Sequence, residues 1–310
     1  MSNIVRVSKI DEVFLKVHCD DGLARDLFDF FSFTVPNAKF MPSYRNKFWD
    51  GKVRLFSIKT NKIYIGLLPY IDEFCKERGF EFEGVEDVLG VKERQPELDE
   101  FVKGLDLPFE PRGYQLEALK SSVQYGRQLL LSPTASGKSL IIYMLARYYN
   151  KKTIIIVPTT SLVEQMYSDF KSYGWNVEKN CHRLYSGYSN QTDKKVLIST
   201  WQSLYKLPKK YFEQFGAVFG DEAHLFKSKS LTEIMTKLID CKYRIGLTGT
   251  LDGAHTHKLV LEGLFGAVNK VTTTKKLMDK KQLSNLAVRC LILKHSDANC
   301  KMISNGKSVS

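Results

Sequence analysis

No apolar run in this sequence approaches the roughly 18 residues that a membrane-spanning helix needs. The first residues also lack the basic, apolar and small-residue regions of a secretory signal peptide. Internal repeats and low-complexity tracts are missing as well. These absences argue against a helical membrane protein, a secreted protein and a repeat architecture. We therefore predict a cytoplasmic protein, located in the host-cell cytoplasm if a phage encodes it.

Cysteine is scarce and scattered. The six cysteines lie at positions 19, 75, 181, 241, 290 and 300, and no two of them have the short spacing of a zinc site. The pattern also lacks the density of a disulfide scaffold. We therefore expect neither zinc nor a catalytic thiol.

The chain does have enough apolar sequence for a buried core, together with an excess of positive charge. Its 310 residues leave room for two domains, 43% of them are hydrophobic, and the net charge is +12. The first 108 residues carry 16 basic and 19 acidic side chains, whereas the rest of the chain carries 30 and 15. The basic excess of the second part fits a polyanionic partner, although lysines that only keep a protein soluble would give the same count.

A phosphate-binding loop is indicated at residues 131–139, which read LSPTASGKS. An apolar run at 128–131, typical of a buried strand, precedes it, and a longer run at 140–146, typical of a helix, follows it. In this context backbone N–H groups point at a polyphosphate, Lys138 neutralises its charge and the Ser139 hydroxyl ligates Mg²⁺. The predicted nucleotide-binding residues are Pro133, Thr134, Ala135, Ser136, Gly137, Lys138 and Ser139.

An acidic box, Asp221-Glu222-Ala223-His224, follows the apolar residues 217–220. Phosphoryl transfer needs a carboxylate that holds Mg²⁺ and a group that orients the attacking water. Asp221 suits the first role and Glu222 the second. Together with the loop, the box predicts a site that binds and hydrolyses ATP with Mg²⁺.

These two motifs and four others occur in the order found in superfamily 2 helicases and translocases of the DEAH-box-like kind, and the chain resembles that family. The other four lie at residues 112–115 (RGYQ), 154–165 (IIIVPTTSLVEQ), 196–204 (VLISTWQSL) and 246–250 (GLTGT). The resemblance implies a RecA-like motor. It implies that Arg112 and Gln115 read the adenine base, and that the catalytic set is Lys138, Asp221, Glu222 and His224.

The resemblance also implies contacts with nucleic acid. In the family, the motifs at 154–165 and 196–204 contact the sugar-phosphate backbone of the tracked strand, and the motif at 246–250 couples nucleotide state to strand binding. The implied contact residues are Pro158, Thr159, Thr160, Ser199, Thr200, Thr248 and Thr250. By itself, a Ser or Thr after a strand is more often only a helix cap.

Two residues of the phosphate loop depart from the family pattern. Ser132 stands where glycine is usual, and Ala135 stands where many relatives have glycine. We expect Ala135 to alter the flexibility of the loop slightly.

The first eighty residues predict a small α/β domain with its own sheet. The pattern predicts strands at 4–7 and 13–17, a helix at 23–31, a turn at 49–51 between two strands, a hairpin of 55–58 with 63–67, and a helix at 70–79.

Residues 39–62 of this domain hold seven basic side chains and one acid, with aromatic residues between them. Basic residues contact phosphates and aromatic residues stack on bases, so this segment predicts DNA contact. The alternative is that the aromatic side chains form the core of the domain and the basic ones its solvated face. The residues predicted to contact DNA are Arg45, Lys47, Lys52 and Arg54.

A basic N-terminal domain that contains Trp49-Asp50-Gly51 and is joined to a DEAH-like motor resembles the recombination and repair helicases of T4-like phages. That narrower resemblance implies ATP-driven remodelling of branched DNA: forks, displacement loops and four-way junctions. It also implies unwinding of RNA–DNA hybrids.

We predict an α/β fold, with a RecA-like parallel sheet that has helices on both faces, preceded by a small α/β (α+β) domain. The predicted divisions are a nucleic-acid-binding domain at 1–80, a linker at 81–108, a motor domain at 109–281, and a polar tail or the start of a second RecA-like domain at 282–310. In the family that second domain supplies arginine fingers. Only one arginine, Arg289, follows residue 281. We therefore expect the amino-terminal part of a longer helicase, weakly active or inactive by itself.

Two alternatives to an ATP-dependent DNA helicase stay open. One is a nucleotide-gated DNA-binding module without turnover, and the intact Glu222 argues against it, because a silent module has no need of that side chain. The other is a different superfamily 2 motor, such as a restriction translocase or an RNA helicase, which only its choice of substrate would distinguish.

Overall fold

The structure is a computed structural model that describes residues 4–85, 98–225, 228–251 and 255–281. Residues up to Thr273 belong to one compact unit, and a second unit begins at Thr274. Across the described ranges, none of the helices combines the length and the apolar character needed to cross a membrane. The tail or second domain predicted at 282–310 lies outside the described residues.

The N-terminal domain is built on a four-stranded sheet and a two-stranded ribbon. Its strands are β1 (Ile4–Lys9), β2 (Phe14–His18), β3 (Ser32–Thr34), β4 (Lys52–Arg54), β5 (Lys62–Tyr64) and β6 (Glu81–Glu83). The sheet has the order β5-β2-β1-β6, with β1 antiparallel to β2 and parallel to β6, and the ribbon pairs β3 with β4. In β1 and β2 alternate side chains are buried, as expected of strands with one covered face.

Three helices belong to this domain: α1 (Asp21–Phe30), α2 (Pro42–Arg45) and α3 (Leu68–Arg78). The apolar side chains of α1 and α3 pack into one core with the sheet, whereas α2 buries none of its residues. The Asp20 carboxylate caps α1 by accepting a hydrogen bond from the Leu23 N–H at 2.8 Å. Gly79 ends α3 in the left-handed conformation, with φ of 71°.

The structure confirms the strands predicted at 4–7 and 13–17 and the helices predicted at 23–31 and 70–79, within two residues at each end. The prediction of a strand before the turn at 49–51 is wrong, because the helix α2 precedes it. The hairpin predicted further on is reduced to β5 and a bridge from Ser57 to Lys62. These segments are only about three residues long, and such short strands depend on their tertiary partners rather than on their own pattern.

The motor part contains a seven-stranded sheet in which all neighbouring strands are parallel. Its strands are β7 (Arg127–Leu131), β8 (Thr153–Val157), β9 (Cys181–Leu184), β10 (Val196–Thr200), β11 (Ala217–Gly220), β12 (Tyr243–Thr248) and β13 (Val268–Lys270). They lie in the order β13-β7-β12-β11-β8-β10-β9.

Helices connect these strands. They are α4 (Leu98–Lys103), α5 (Gly113–Tyr125), α6 (Lys138–Tyr149), α7 (Thr160–Ser172), α8 (Val177–Asn180), α9 (Trp201–Leu204), α10 (Lys209–Phe212), α11 (Ser228–Lys237) and α12 (His255–Phe265), and the second unit contains α13 (Thr274–Asp279). Short 3-10 turns occur at Ala38–Phe40, Ile65–Leu67 and Ala223–Leu225.

Helices cover both faces of the motor sheet, because alternate residues of one strand enter different cores. Along β8, Ile154 and Ile156 join one core, whereas Ile155 and Val157 join the other. The first core includes side chains of α11 and α12 and continues into the N-terminal domain; the second includes those of α5, α6 and α7. Strands buried on both faces have continuous apolar sequences. The predicted fold class is confirmed.

The linker predicted at 81–108 is partly structured. Residues 81–83 form β6, which pairs with β1, and its Glu83 forms a salt bridge with Arg6 at 2.6 Å. Residues 98–103 form α4, and Leu105 is buried in the second motor core. The remainder at 86–97 lies outside the described residues. The acidic composition of this segment gave no sign of β6. A short edge strand is held by backbone hydrogen bonds to its neighbour, and these do not depend on the side chains.

Candidate nucleotide and nucleic-acid site

The phosphate loop connects the end of β7 to the start of α6 at the carboxyl edge of the parallel sheet, where such folds bind their ligands. The Ser132 N–H donates to the Thr248 carbonyl at 2.8 Å, which extends the pairing of β7 with β12. The Ser132 hydroxyl lies 2.7 Å from the Ser136 hydroxyl, and both serines are buried. Ser132 therefore ties the two ends of the loop together, which a glycine cannot do.

Two residues of the loop adopt the left-handed conformation that favours glycine: Ala135, with φ of 62°, and Gly137, with φ of 76°. A Cβ atom at Gly137 would also overlap the side-chain amide nitrogen of Gln115. Ala135 holds this conformation at a cost of about 1–2 kcal/mol, which a glycine would avoid. The glycine that is usual at this position would adopt the left-handed conformation without this cost, whereas Ala135 adopts it with backbone strain.

The residues predicted to read adenine, Arg112 and Gln115, lie at the start of α5 and contact the loop. Gln115 is buried; its Oε1 accepts from the Arg112 N–H at 2.8 Å, and its Nε2 donates to the Ser136 carbonyl at 2.9 Å. The Tyr114 hydroxyl donates to the same carbonyl at 2.8 Å. This element therefore fixes the position of the loop. Adenine recognition by Gln115 stays a prediction, since both of its polar atoms already have partners.

The acidic box meets the loop through an ion pair between Lys138 and Glu222. Lys138 is only 8% exposed, although it carries a charge. Asp221 follows β11; its N–H donates to the Ile156 carbonyl at 2.9 Å, and its Oδ1 accepts from the Glu222 N–H at 3.0 Å. Glu222 has φ of 50°, which is uncommon for a residue with a side chain. Such strain is characteristic of functional sites, where the surrounding structure holds it in place.

The environment of Asp221 favours a bound cation. Burial raises the pKa of its carboxyl to about 6; Lys138 opposes this shift and the Glu222 carboxylate adds to it. Mg²⁺ prefers carboxylate and hydroxyl oxygens, so Asp221 and Ser139 fit the ion. In the described part of the chain, no three His, Cys, Asp or Glu side chains gather into a metal site. Mg²⁺ held here would therefore also depend on the phosphates of the nucleotide, which is usual for this ion.

His224 joins the acidic box to the motif at 246–250. Its Nδ1 lies 2.6 Å from the Thr248 hydroxyl and 3.5 Å from the Glu222 carboxylate. The Thr248 hydroxyl donates its only proton to the Thr250 carbonyl at 2.8 Å. It must therefore accept from His224, whose Nδ1 carries a proton. One network of ionic and hydrogen-bonded contacts thus connects Lys138, Glu222, His224 and Thr248.

Sequence reasoning missed Tyr173, whose hydroxyl lies 2.8 Å from the Ser139 hydroxyl. Tyr173 follows α7 and is buried, and its ring packs edge-on against Phe109 at a centroid distance of 5.7 Å. Burial raises the pKa of the Tyr173 hydroxyl, which therefore keeps its proton. No motif marks this residue, because the contact joins two positions 34 apart.

The residues predicted to contact the tracked strand lie at the ends of β10 and β12 or just after β8 and β12, at the same edge of the sheet. Thr159 and Thr160 are exposed at the start of α7, and the Thr159 hydroxyl caps that helix by accepting from the Leu162 N–H at 3.3 Å. Pro158 is buried, whereas Thr250 is exposed. Free N–H groups at a helix start suit a phosphate, and strand contact by these residues stays a prediction.

The remaining members of this set are less accessible. Ser199 and Thr248 are fully buried, and Thr200 is 4% exposed. The Ser199 hydroxyl donates to the Leu184 carbonyl at 2.8 Å, and the Thr200 hydroxyl lies 3.1 Å from that of Ser203. Direct strand contact by Ser199 or Thr248 would require these hydroxyls to leave their present partners. The exposed threonines are therefore the better candidates.

In the N-terminal domain, the basic residues predicted to contact DNA all lie on the surface. They are Arg45, Lys47, Lys52 and Arg54. Three aromatic residues of the same segment are exposed too: Phe48 by 86%, Phe40 by 61% and Tyr44 by 41%. Trp49 is half-buried, and Phe56 lies in the domain core. The alternative in which the aromatic side chains form the domain core is therefore excluded for the three exposed ones. Basic and aromatic side chains together line a shallow cavity of about 540 Å³.

Arg54 differs from the other three basic residues because it is paired with Asp50. Its hydrogen bond lowers the pKa of Asp50 to about 2. Among the described acids, none forms a salt bridge with Arg45, Lys47 or Lys52. Unlike Arg54, these three residues therefore carry charge that no described acid compensates.

Comparisons with known proteins match the N-terminal domain and the motor part to two different family models. Residues 108–253 match the family model "Type III restriction enzyme, res subunit", and residues 5–83 match the model "DNA helicase UvsW, N-terminal". The first match covers the phosphate loop, the acidic box and the motif at 246–250. The second covers the basic and aromatic patch.

Individual relatives agree with these matches. The chain is 32% identical over 308 residues to the ATP-dependent DNA helicase uvsW of phage T4, covering 94% of this chain and 61% of the relative. It is 28% identical over 185 residues to the DNA 3'-5' translocase XPB2 of Sulfurisphaera tokodaii, covering 55% of this chain and 40% of the relative. The chain thus spans less than two thirds of the length of these curated relatives.

Two crystal structures of T4 UvsW have the same fold as this chain. One gives a TM-score of 0.79 at 32% identity and covers 86% of this chain and 99% of the solved chain. The other gives 0.80 at 33% identity and covers 87% of this chain and 57% of the solved chain. The similarity therefore extends through both the N-terminal domain and the motor domain.

Proposed function

The chain belongs to the UvsW family of superfamily 2 helicases, and from that premise we propose that it binds ATP and DNA as part of an ATP-dependent DNA helicase that remodels branched DNA. Forks, displacement loops, four-way junctions and RNA–DNA hybrids are the proposed substrates, in recombination, repair and replication in the host-cell cytoplasm. The observation that carries the proposal is the network of Lys138, Glu222, His224 and Thr248. It joins the phosphate loop to the motif that senses nucleotide state.

We assign the roles at the nucleotide from this geometry. Lys138 would exchange Glu222 for the phosphates, and Glu222, released from that pair, would hold the attacking water. Asp221 and Ser139 would hold Mg²⁺, which supplies charge neutralisation when it is bound. His224 would hold Glu222 and Thr248 at a fixed distance from each other, because its Nδ1 lies near both side chains.

Two surfaces support binding to DNA. Exposed threonines at the carboxyl edge of the motor sheet suit the backbone of a single strand. The N-terminal patch combines unpaired cations with Phe48, which is exposed and available to stack on a base at a junction. A continuous duplex offers phosphates but no unstacked base, so the aromatic residues favour branched DNA.

A restriction translocase is a second candidate, because the motor residues match the family of type III restriction enzymes. The N-terminal domain argues against it, since residues 5–83 match the UvsW model instead. An RNA helicase and a nucleotide-gated module without turnover stay possible outcomes of the substrate and turnover measurements.

The proposal is tested by the anisotropy of labelled nucleic acids of equal length: linear duplex, fork, four-way junction and RNA–DNA hybrid. We expect fork and junction to bind at least about fivefold more tightly than linear duplex, because a stacked base contributes about 1–3 kcal/mol. Equal affinity for linear and branched DNA would contradict the preference for branches.

A pair of matched variants locates that preference. The variant Arg45→Ala with Lys47→Ala removes two charges from the patch, and Lys16→Ala with Arg25→Ala removes two exposed charges elsewhere in the same domain. We expect the first to reduce affinity for the fork and the second to leave it within about twofold, since only contacting cations release counterions.

A further inference from the structure

The N-terminal domain is locked onto one helix of the motor, α12, at its last turn. Gly66, in the 3-10 turn after β5, lies so close that a Cβ atom there would overlap the Glu262 carbonyl oxygen. Gly263 is constrained less severely, since a Cβ atom there would lie 3.1 Å from the Tyr64 side chain. Two glycines on opposite sides of the interface thus allow the backbones to approach.

A buried polar contact fixes the register of this interface. The Tyr70 hydroxyl, on α3, donates to the Glu262 carboxylate at 2.6 Å, and Glu262 is only 4% exposed. Burial raises the pKa of Tyr70, and the Glu262 carboxylate adds to the shift, so the phenol remains a donor. The other carboxylate oxygen of Glu262 lies 3.9 Å from the Lys258 ammonium, one turn earlier in α12. Moving α12 along its axis would break a buried hydrogen bond to a charged group.

The opposite end of α12 touches the nucleotide site. The His257 Nε2 lies 3.2 Å from the His224 carbonyl oxygen and donates to it. The His224 side chain is in turn bound to Thr248 and close to Glu222. If nucleotide binding displaces the acidic box, the contact between His224 and His257 would therefore move the first turn of α12.

We propose that α12 transmits the nucleotide state of the acidic box to the N-terminal domain, with Tyr70 and Glu262 as the positioning residues that couple the two. This inference rests on the proposed function, and it adds a route by which ATP changes how the N-terminal patch holds branched DNA. The route runs by contact from Glu222 through His224 to His257, along the α12 backbone to Glu262, and by contact again to Tyr70.

A second contact between the domains starts from the motor sheet rather than from α12. The Arg127 guanidinium donates to the Glu12 carbonyl at 2.7 Å and lies 3.6 Å from the Glu12 carboxylate. Arg127 begins β7, at the opposite end of that strand from the phosphate loop. This contact anchors the N-terminal domain to the sheet, so the domain stays in place when the joint at Tyr70 is altered.

The experiment measures the affinity for labelled forked DNA with and without a non-hydrolysable ATP analogue and Mg²⁺. Three proteins are compared: the unmodified chain, Tyr70→Phe, and Tyr211→Phe as the matched control. The control also loses one tyrosine hydrogen bond, from Tyr211 to the Asn190 carbonyl at 2.7 Å, which is exposed and lies away from α12.

We expect the analogue to change the DNA affinity of the unmodified chain about fivefold or more, a usual size for coupling between sites. In Tyr70→Phe that ratio should fall below about twofold, while the affinities for the analogue alone and for DNA alone stay unchanged. Tyr211→Phe should keep the ratio of the unmodified chain. A purely structural role for Tyr70 would lower the affinities for the analogue and for DNA, and would leave the ratio of DNA affinities with and without the analogue unchanged.

Two variants of Glu262 keep the test valid if Tyr70→Phe folds poorly. Glu262→Gln retains an oxygen that accepts the Tyr70 hydrogen bond, so it should preserve the effect of the analogue on DNA affinity. Glu262→Ala has no such acceptor and should remove that effect. An unchanged ratio in Tyr70→Phe or Glu262→Ala overturns the inference, as does an unmodified chain that binds both ligands without coupling. Failure to bind the analogue or DNA at all would instead refute the proposed function, and the inference with it.

Discussion

The ammonium group of Lys138 is paired with the carboxylate of Glu222, so the cation expected to hold phosphate is bound to the anion expected to orient water. In the proposed function, nucleotide binding would separate this pair. The pair is almost excluded from solvent, with side-chain exposures of 9% and 19%. Its separation would therefore both free Lys138 for the phosphates and release Glu222 for the proposed catalysis.

Replacing Glu222 by glutamine should uncouple binding from turnover. The amide cannot pair with Lys138 as an ion, and it removes a negative charge that repels the polyphosphate. We expect Glu222→Gln to bind ATP at least as tightly as the unmodified chain and to lack any hydrolysis that the latter shows. Calorimetric titration and phosphate release measure the two effects. Normal turnover in this variant would exclude Glu222 as the residue that orients water.

The hydroxyl of Tyr173 should tune the response to Mg²⁺. It can accept the proton of Ser139 at 2.8 Å and leave the Ser139 lone pairs free for the ion. We expect Tyr173→Phe to raise the Mg²⁺ concentration needed for half-maximal nucleotide binding about threefold or more, as the loss of one hydrogen bond predicts. Nucleotide binding in EDTA should not change. An equal loss with and without Mg²⁺ would instead indicate a general packing defect.

Asp221 should make the metal-free protein less stable at neutral pH than at acidic pH. Its folded pKa is raised to about 6 from a usual value of 3.8, so the folded state holds a proton that the unfolded state has lost between these values. This contribution is present below pH 3.8 and is lost as the pH rises through about 6. In EDTA, Asp221→Asn should therefore raise the melting temperature at pH 7.5 and much less at pH 4. A difference that is independent of pH would contradict the assignment.

Phe48 should contribute to branched DNA more than to linear DNA. Its side chain is 86% exposed, so removing it leaves no cavity and little effect on stability is expected. We expect Phe48→Ala to weaken binding to a fork by about fivefold and to leave binding to linear duplex within about twofold. Anisotropy titrations at one fixed salt concentration measure this. Equal losses on both substrates would mean that Phe48 does not stack on an unpaired base.

The features that could be read from the sequence are those set by local pattern. The apolar runs at 128–131, 154–157 and 217–220 each became strands of the parallel sheet, because strands buried on both faces show themselves as continuous apolar sequence. The phosphate loop followed from its flanking strand and helix. The positive φ angle at Gly137 could also be expected, because glycine favours that conformation, whereas the positive φ angle at Ala135 could not.

The features that escaped prediction depend on tertiary contact. Tyr173 reaches Ser139, and Tyr70 reaches Glu262, across separations of 34 and 192 residues. The short strand β6 exists because β1 offers it a partner. Burial of Ser199 and Thr248 could not be anticipated either, because the same Ser or Thr after a strand can face solvent, cap a helix or bond inward.

The measurement that tests the central claim most directly is the affinity of this chain for ATP with Mg²⁺, compared between the unmodified protein and Lys138→Ala. Circular dichroism would confirm that both are folded. The proposed site predicts that Lys138→Ala weakens ATP binding by at least about tenfold, since the lysine makes a charge-assisted bond to phosphate. Equal affinity in the two folded proteins would show that the nucleotide does not bind at the phosphate loop, and would contradict the proposed motor.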